Sequence, residues 1–376
     1  MAAPLPRSIP VLVFLPSAGG SRAEQWMAAA RRACAADLLD RLRASGFGPI
    51  HLVAAESSDR EALAAPGLEA LPDPTSPFHF GRALVQVIES GGFKELAYFG
   101  GAAAPLATVE SLAAWRYLAQ RLPPDGVLVN NLHSTDWAIL RNARRLVGLA
   151  ERLPTDNPLG WVSRQEAGLT VQTPPATVAA RADIDTPGDL ALLRRHPDLG
   201  PNLRQMLETL PEELGRRADG LAQVLRTPAE SLALIGRVSE AAWREIVQRT
   251  QVWVRVFAEE RGMRASGRLA RGEVQSLLAE MVEQRGAEAF VARLSELVHG
   301  VMWDTRVWMA HRGPWPSAAD RMAADIGWPE EIADPGLRTL TAAILAARVP
   351  IVTGGQGVVA GSLRAFVETV TPEQKT

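Results

Sequence analysis

Residues 9–15, Ile-Pro-Val-Leu-Val-Phe-Leu, form an apolar run without a polar break. A strand with one wet face alternates apolar and polar residues, whereas a strand covered on both faces does not. The run therefore calls for helices above and below it. A glycine-containing loop follows, then an alanine-rich helix to Ala44, ended by Gly46 and Gly48, and a second strand at 50–53. Residues 57–77, rich in Pro, Ser and Asp, read as a long surface connection. A helix over 80–90 leads to a strand at 95–99, and a helix over 109–122 to a strand at 126–130. After a further helix over 135–153, residues 169–172 read as a fifth strand. This alternation specifies an α/β fold: a Rossmann-like, mostly parallel sheet with helices on both faces.

A chain of 376 residues exceeds one ordinary core. The character changes near 196–201, beyond which strand-like runs nearly vanish and helical periodicity dominates. Two domains are expected, an α/β domain over 1–200 and a mostly helical one over 201–376. In the second, Thr227-Pro228-Ala229-Glu230 reads as a capping box, Ser317-Ala318-Ala319-Asp320 as a similar start and Ser239 as another cap. One strand-like run, 349–353, closes on Gly354-Gly355.

Composition removes several functions. A net charge of −2 gives no electrostatic case for nucleic acid. Lys94 and Lys375 are the only lysines. A Walker-type phosphate loop, which needs a lysine after its glycines, is excluded. Phosphate contacts then fall to arginine forks, backbone N–H groups or a metal. Cys34 is the sole cysteine, so no disulfide within the chain and no cysteine zinc site can form. Arg7, the run at 9–15 and Ser17-Ala18-Gly19 loosely mimic a secretion signal, but Pro10 and Pro16 bracket the run and favour a buried strand. No run approaches the ~20 apolar residues that span a bilayer. No membrane role and a cytoplasmic location are the expectation.

Chemistry concentrates at Asp183-Ile184-Asp185-Thr186-Pro187. Thr186 reads as an N-cap, Pro187 as the first helical residue and Asp189 as the acidic partner three positions on. If the segment is extended, Asp183 and Asp185 lie on one side of the backbone and can share a hard cation such as Mg²⁺. Equally, acids at a helix start can simply complement its dipole. The loop Ala18-Gly19-Gly20-Ser21-Arg22 offers close backbone approach, donor N–H groups and an arginine. In open parallel sheets such loops gather beyond the carboxyl ends of the strands.

With those residues in view, 9–195 resembles the nucleotidyltransferases of the sugar-nucleotide type, notably the molybdenum-cofactor (MobA-like) and phospholactate guanylyltransferases. Ala18, Gly19, Gly20 and Arg22 match the opening loop of that superfamily. Ala104-Pro105-Leu106 matches its Gly-Pro-Leu-type element, and Asp183 to Leu190 its closing Asp-X-Asp-Thr-Pro-X-Asp-Leu motif. The resemblance implies Mg-dependent transfer of a nucleoside monophosphate from an NTP to a phosphorylated small-molecule acceptor, with release of pyrophosphate. It implies Mg²⁺ on Asp183 and Asp185 with Asp136, and catalytic roles for Arg22 and Asp185. The β- and γ-phosphates would lie on Ala18, Gly19, Gly20, Ser21 and Arg22, and the base or ribose against Gly100, Gly101, Pro105 and Leu106. Asn130, Asn131, Arg264 and Arg268 are acceptor-binding candidates.

The chain departs from that pattern twice. Its loop is short and lacks the following lysine, leaving Arg31 or Arg32 as substitutes. After the fourth strand, where the superfamily has a metal-binding aspartate, stand Asn130 and Asn131. Asp136 either reaches the metal or joins Ser134 and Thr135 in capping a helix. Arg264 and Arg268 share a face if a helix persists through Gly267. The second domain would supply the acceptor site or a homo-oligomer contact. Two other readings are a nucleotide-sugar glycosyltransferase, which would release a nucleoside diphosphate, and a catalytically degenerate nucleotide-binding or scaffold protein.

Overall fold

A computed structural model describes residues 8–75, 78–264 and 266–371; Arg7 and Lys375 lie outside them. The chain divides into two compact units. One comprises the stretch ending at Ala18 with Ala30–Arg181 and Gly200–Leu203; the other comprises Gly19–Ala29, Ala182–Leu199 and the stretch from Arg204.

The first sheet is built from β1 (Val11–Leu15), β2 (Ile50–Ala54), β3 (Leu68–Leu71), β4 (Leu96–Gly100), β5 (Gly126–Val129), β6 (Trp137–Leu140) and β7 (Thr170–Gln172). Their order is β3-β2-β1-β4-β6-β5-β7. All pairings are parallel except those of β6, which runs against β4 and β5. Helices α1 (Arg22–Ala44), α2 (Ser57–Ala62), α3 (Phe80–Ser90), α4 (Val109–Gln120), α5 (Leu159–Gln165) and α6 (Val178–Arg181) intervene. Alternate residues of β1 feed separate cores. Val11, Val13 and Leu15 pack with Leu38 and Leu42 of α1 and Trp115 of α4, while Leu12 and Phe14 pack with Phe80 and Leu84 of α3 and Val162 of α5. The unbroken apolar run is thus covered on both faces, as it requires. On one of them Trp137 stacks on Trp115, ring centroids 4.3 Å apart, with Phe99 at 5.7 Å on Trp137.

Two segments differ from the sequence reading. Within 57–77 lie α2 and the edge strand β3, which pairs with Ile50–Val53. Its four residues are at best half-buried, so no apolar signal marks it. The helix expected over 135–153 is instead strand β6, followed by two short 3-10 turns. Asn130 causes the reversal. Its side-chain oxygen accepts the N–H groups of Asp136 (2.9 Å) and Trp137 (3.3 Å), folding the chain back as a hairpin. Trp137-Ala138-Ile139-Leu140 is then fully buried, which suits a central strand.

The second unit is rich in helices, as expected, and it also carries a sheet. Its helices are α7 (Pro187–Leu193), α8 (Pro201–Met206), α9 (Glu212–Arg226), α10 (Glu240–Arg249), α11 (Leu277–Arg285), α12 (Ala287–Leu297), α13 (Arg306–His311), α14 (Ala318–Ile326), α15 (Pro335–Leu345) and α16 (Gly361–Val370). The first three residues of α8 count with the other unit. Strands β8 (Ser231–Gly236), β9 (Trp253–Ala258), β10 (Gly300–Asp304) and β11 (Ile351–Gly354) pair in parallel in the order β11-β10-β8-β9. The sequence singled out only the last of them. Again two cores sandwich the sheet, one around Trp303 with α12 and α15, the other around Met302 with α9 and α16. Successive strands leave β8 in opposite directions, so the switch point of this doubly wound sheet lies between β8 and β10. Among the described residues no helix is long and apolar enough to cross a membrane.

Thr227 does not open a helix; it caps the carboxyl end of α9, its hydroxyl donating to the Gln223 carbonyl at 2.8 Å. Pro228 disfavours helical backbone at the residue before it, which turns an apparent start into a stop. Ser317 caps α14 by accepting the Asp320 N–H at 3.0 Å, as the sequence suggests.

Candidate functional site

The Asp183 segment is extended ahead of α7. Ile184 is 1% exposed, while Asp183 is half-buried and Asp185 exposed, the alternation an extended chain gives. Thr186 is the N-cap and Pro187 the first helical residue. Asp189 Oδ2 accepts the Thr186 N–H at 2.8 Å and its hydroxyl at 2.7 Å, and Oδ1 accepts the Ser362 hydroxyl at 2.8 Å. The backbone of Gly357 lies so close that a Cβ there would stand 2.0 Å from Oδ1. Asp189 is wholly buried, and this burial, with the nearby charge of Asp185, pushes its carboxyl up to about 7. Gly188 approaches the Thr353 carbonyl, where a Cβ would sit 2.3 Å away, so the start of α7 abuts the carboxyl end of β11.

A cluster of charge occupies the carboxyl ends of the second sheet. At the end of β8, Gly236 has φ +107 and lies against Asp304, where a Cβ would clash at 2.7 Å. Arg237 therefore meets the buried Asp304 in a two-pronged pair, Nε to Oδ2 at 2.6 Å and Nη2 to Oδ1 at 3.0 Å. Two residues past Asp304, Arg306 holds Asp325 through both nitrogens, one at 3.0 Å, with both side chains buried. The loop after β9 is tied to the turn after β8 by the Glu259 N–H on the Gly236 carbonyl at 3.0 Å. That loop carries Arg264. More than a third of Arg264 is open to solvent, yet protein crowds round it; burial first, then the like charge of Arg237, lowers its pKa, with Asp185 opposing. Arg321 of α14 is brought down to about 10 by burial, then by Arg306 and Arg264; Asp325 and Glu24 oppose.

The described residues between β9 and α11 form turns, with Gly262 and Gly267 at positive φ, so Arg264 and Arg268 share no helical face. Arg268 is paired with Glu260 at 2.7 Å.

The glycine loop is closed by its own helix. Ser21 donates its N–H (3.1 Å) and hydroxyl (3.0 Å) to Glu24 Oε2, and the carboxylate lies over Gly19, 2.1 Å from where a Cβ would stand. Gly20 faces open space. Arg22, 69% exposed at its side chain, stacks on the Trp328 ring at 3.9 Å and meets Glu331 at 3.4 Å. In the first unit, the Gly101 N–H is used by Phe14 O (2.7 Å) and the Gly100 N–H by Asp136 O (3.0 Å). Arg41 binds the carbonyl of Pro105 at 3.1 Å, and Leu106 is buried. The Asn130 amide donates to Asp136 Oδ2 at 2.6 Å, and the Asn131 side chain accepts the His133 N–H. Ser134, Thr135 and Asp136 open no helix of their own. Ser134 donates to Asn157, while Thr135 donates to Asn131 O and accepts the Gly160 N–H.

Gly19, Gly20, Ser21, Arg22, Asp183, Asp185, Arg264 and Arg268 thus belong to the second unit, and Ala18, Gly100, Gly101, Pro105, Leu106, Asn130, Asn131 and Asp136 to the first. Among the described residues no three His, Cys, Asp or Glu side chains gather as a metal site. Sequence reasoning missed Arg237. Its signal was the short apolar run at 232–235 closed by a glycine, the mark of a strand followed by a tight turn. Two shallow cavities of about 350 and 270 Å³, near Ile88 and His196, touch none of these residues.

No family model matches the chain, and no curated protein matches it by sequence. Among solved structures it is similar to a cytidylyltransferase from Leptospira borgpetersenii, at 15% identity over 54% of this chain and 92% of that one, with a TM-score of 0.39. A putative protein from Aquifex aeolicus matches at 14% identity over 49% of this chain and 96% of its own, with a TM-score of 0.38. A nucleotidyl transferase from Methanothermobacter thermautotroptrophicus matches at 14% identity, over 47% of this chain and 92% of its own, with a TM-score of 0.35. Scores of that size carry no weight for function.

Proposed function

We propose that the chain is a Mg-dependent nucleotidyltransferase, moving a nucleoside monophosphate from an NTP to a phosphorylated small-molecule acceptor. The reading rests on Asp183 and Asp185, flanking a buried Ile184 on an extended segment that runs straight into a capped helix. Two carboxylates suit Mg²⁺, which is usually held by one or two acids together with water and substrate phosphates. When bound there, the cation would neutralise phosphate charge and polarise the phosphoryl group. The chain's own part is positioning. Asp189 fixes the start of α7 and with it the direction of Asp185, and Arg264, within electrostatic range of Asp185, would take a phosphate oxygen.

A second reading, nucleotide binding without turnover, is favoured by Glu24 lying across Gly19 and by an amide, Asn130, on Asp136. Calorimetry of NTPs with and without Mg²⁺ tests the first step. Wild type should bind only with the metal, and Asp185→Asn should weaken binding by roughly tenfold or more. Equal affinity in the two proteins rejects the metal role. Pyrophosphate release on adding phosphorylated acceptors separates transfer from binding alone.

A further inference from the structure

We infer that the cluster at the carboxyl ends of the second sheet is a binding site for a phosphoryl group, gripped by Arg264 and Arg321 with Arg237 fixed behind them. It deepens the nucleotide reading, which already gives Arg264 a phosphate oxygen, by adding Arg321 and Arg237 and by placing the grip at the strand ends of the second sheet.

The place is set by topology. In a doubly wound parallel sheet the crevice opens where successive connections part, here between β8 and β10. Gly236 with its positive φ and the chain at Asp304 to Arg306 meet there.

The arginines divide into two kinds. Arg237 and Arg306 are locked in two-pronged pairs with Asp304 and Asp325, so their positions are fixed and their charges balanced. The Arg264 guanidinium has no hydrogen bond or ion pair among the described residues, and that of Arg321 holds there only the Pro316 carbonyl and the face of Trp315, at 5.2 Å. Met263 and Trp315 pack in one small apolar cluster, which keeps the two arginine-bearing segments side by side. After burial itself, Arg237 and Arg306 disfavour the charge on Arg264, and Arg306 and Arg264 that on Arg321. Such a pair is costly to hold unless a shared anion lies between them.

The acids facing them, Asp185 and Asp304 toward Arg264 and Asp325 and Glu24 toward Arg321, oppose this electrostatically. Two guanidinium forks present several N–H donors, which suit the three oxygens of a phosphoryl dianion better than the two of a carboxylate.

Titration calorimetry of the full chain with inorganic phosphate, without Mg²⁺ or nucleotide, is the test. Saturable binding is expected in wild type, weakened roughly tenfold or more in Arg264→Gln and in Arg321→Gln. Arg293→Gln, on α12 and paired with Glu296, should bind as wild type does. Circular dichroism checks each fold; if Arg321→Gln does not fold, Arg264→Gln decides, since the Arg264 guanidinium has no hydrogen-bond partner to lose among the described residues. Absence of binding in wild type, undiminished binding in Arg264→Gln, or an equal loss in Arg293→Gln overturns the site. Succinate binding as tightly as phosphate overturns its phosphoryl assignment. Because neither Mg²⁺ nor nucleotide is present, this result is independent of the Asp185→Asn experiment.

Discussion

Two helices of this chain begin with the same four-residue device in very different surroundings. At α1, Ser21 and Glu24 exchange hydrogen bonds beside a glycine that faces open space. At α7, Thr186 and Asp189 do the same, but beneath Gly357 and Ser362 and out of contact with water. Local sequence writes both boxes alike. The surroundings decide what each carboxylate does. Glu24 closes off a loop that otherwise reads as a phosphate cradle, whereas Asp189 is a buried peg aligning the start of α7 with the end of β11.

The sharpest way to break the comparison is truncation. Asp189→Ala leaves three buried donors unmatched and should cost about 3 kcal/mol, whereas Glu24→Ala should cost about 1 kcal/mol or less. Urea denaturation of both variants measures this; similar losses would erase the distinction. The Asp189 carboxyl also carries a pH signature. It titrates at about 7 in the fold against 3.8 when free, so between those values the folded chain retains a proton that the unfolded chain has lost. Its contribution is complete below the free value and fades as pH rises through about 7. Asp189→Asn should lack that decline. Melting curves of the two proteins that stay parallel from acid to neutral pH contradict the assignment.

Adding a methyl to each partner glycine sharpens the contrast with smaller effects. Gly357→Ala drives a Cβ into a carboxylate already fixed by three donors and should cost about 2 kcal/mol. At Gly19 the obstacle is only the free end of the Glu24 side chain, which can swing away. Gly19→Ala should shift stability by about 0.5 kcal/mol or less in thermal melts.

The same contrast marks what the sequence could tell. Strands β1, β2 and β4 were legible because continuous apolar runs have few other uses, and the α7 box because its residues act within one turn. Strand β6 was not legible: the reversal depends on the Asn130 side chain binding backbone seven residues on, a choice that helix periodicity cannot register. Strands β8 and β9 were hidden for other reasons. The core of β8, Leu-Ala-Leu-Ile, suits a helix as well as a strand, and β9 is an exposed edge strand interrupted by Arg255. Asp183 and Asp185 stood out as a motif, but the arginines after β8, β9 and β10 come together only once a parallel sheet brings its strand ends side by side.

The stacked indoles of Trp115 and Trp137, nearly parallel and in van der Waals range, have a spectroscopic consequence. Rings so placed couple their electronic transitions, giving a paired positive and negative band in circular dichroism that isolated tryptophans lack. Because both rings belong to the first unit, that couplet reports its melting alone. A chain of two sheets thereby carries an intrinsic marker of which one opens first.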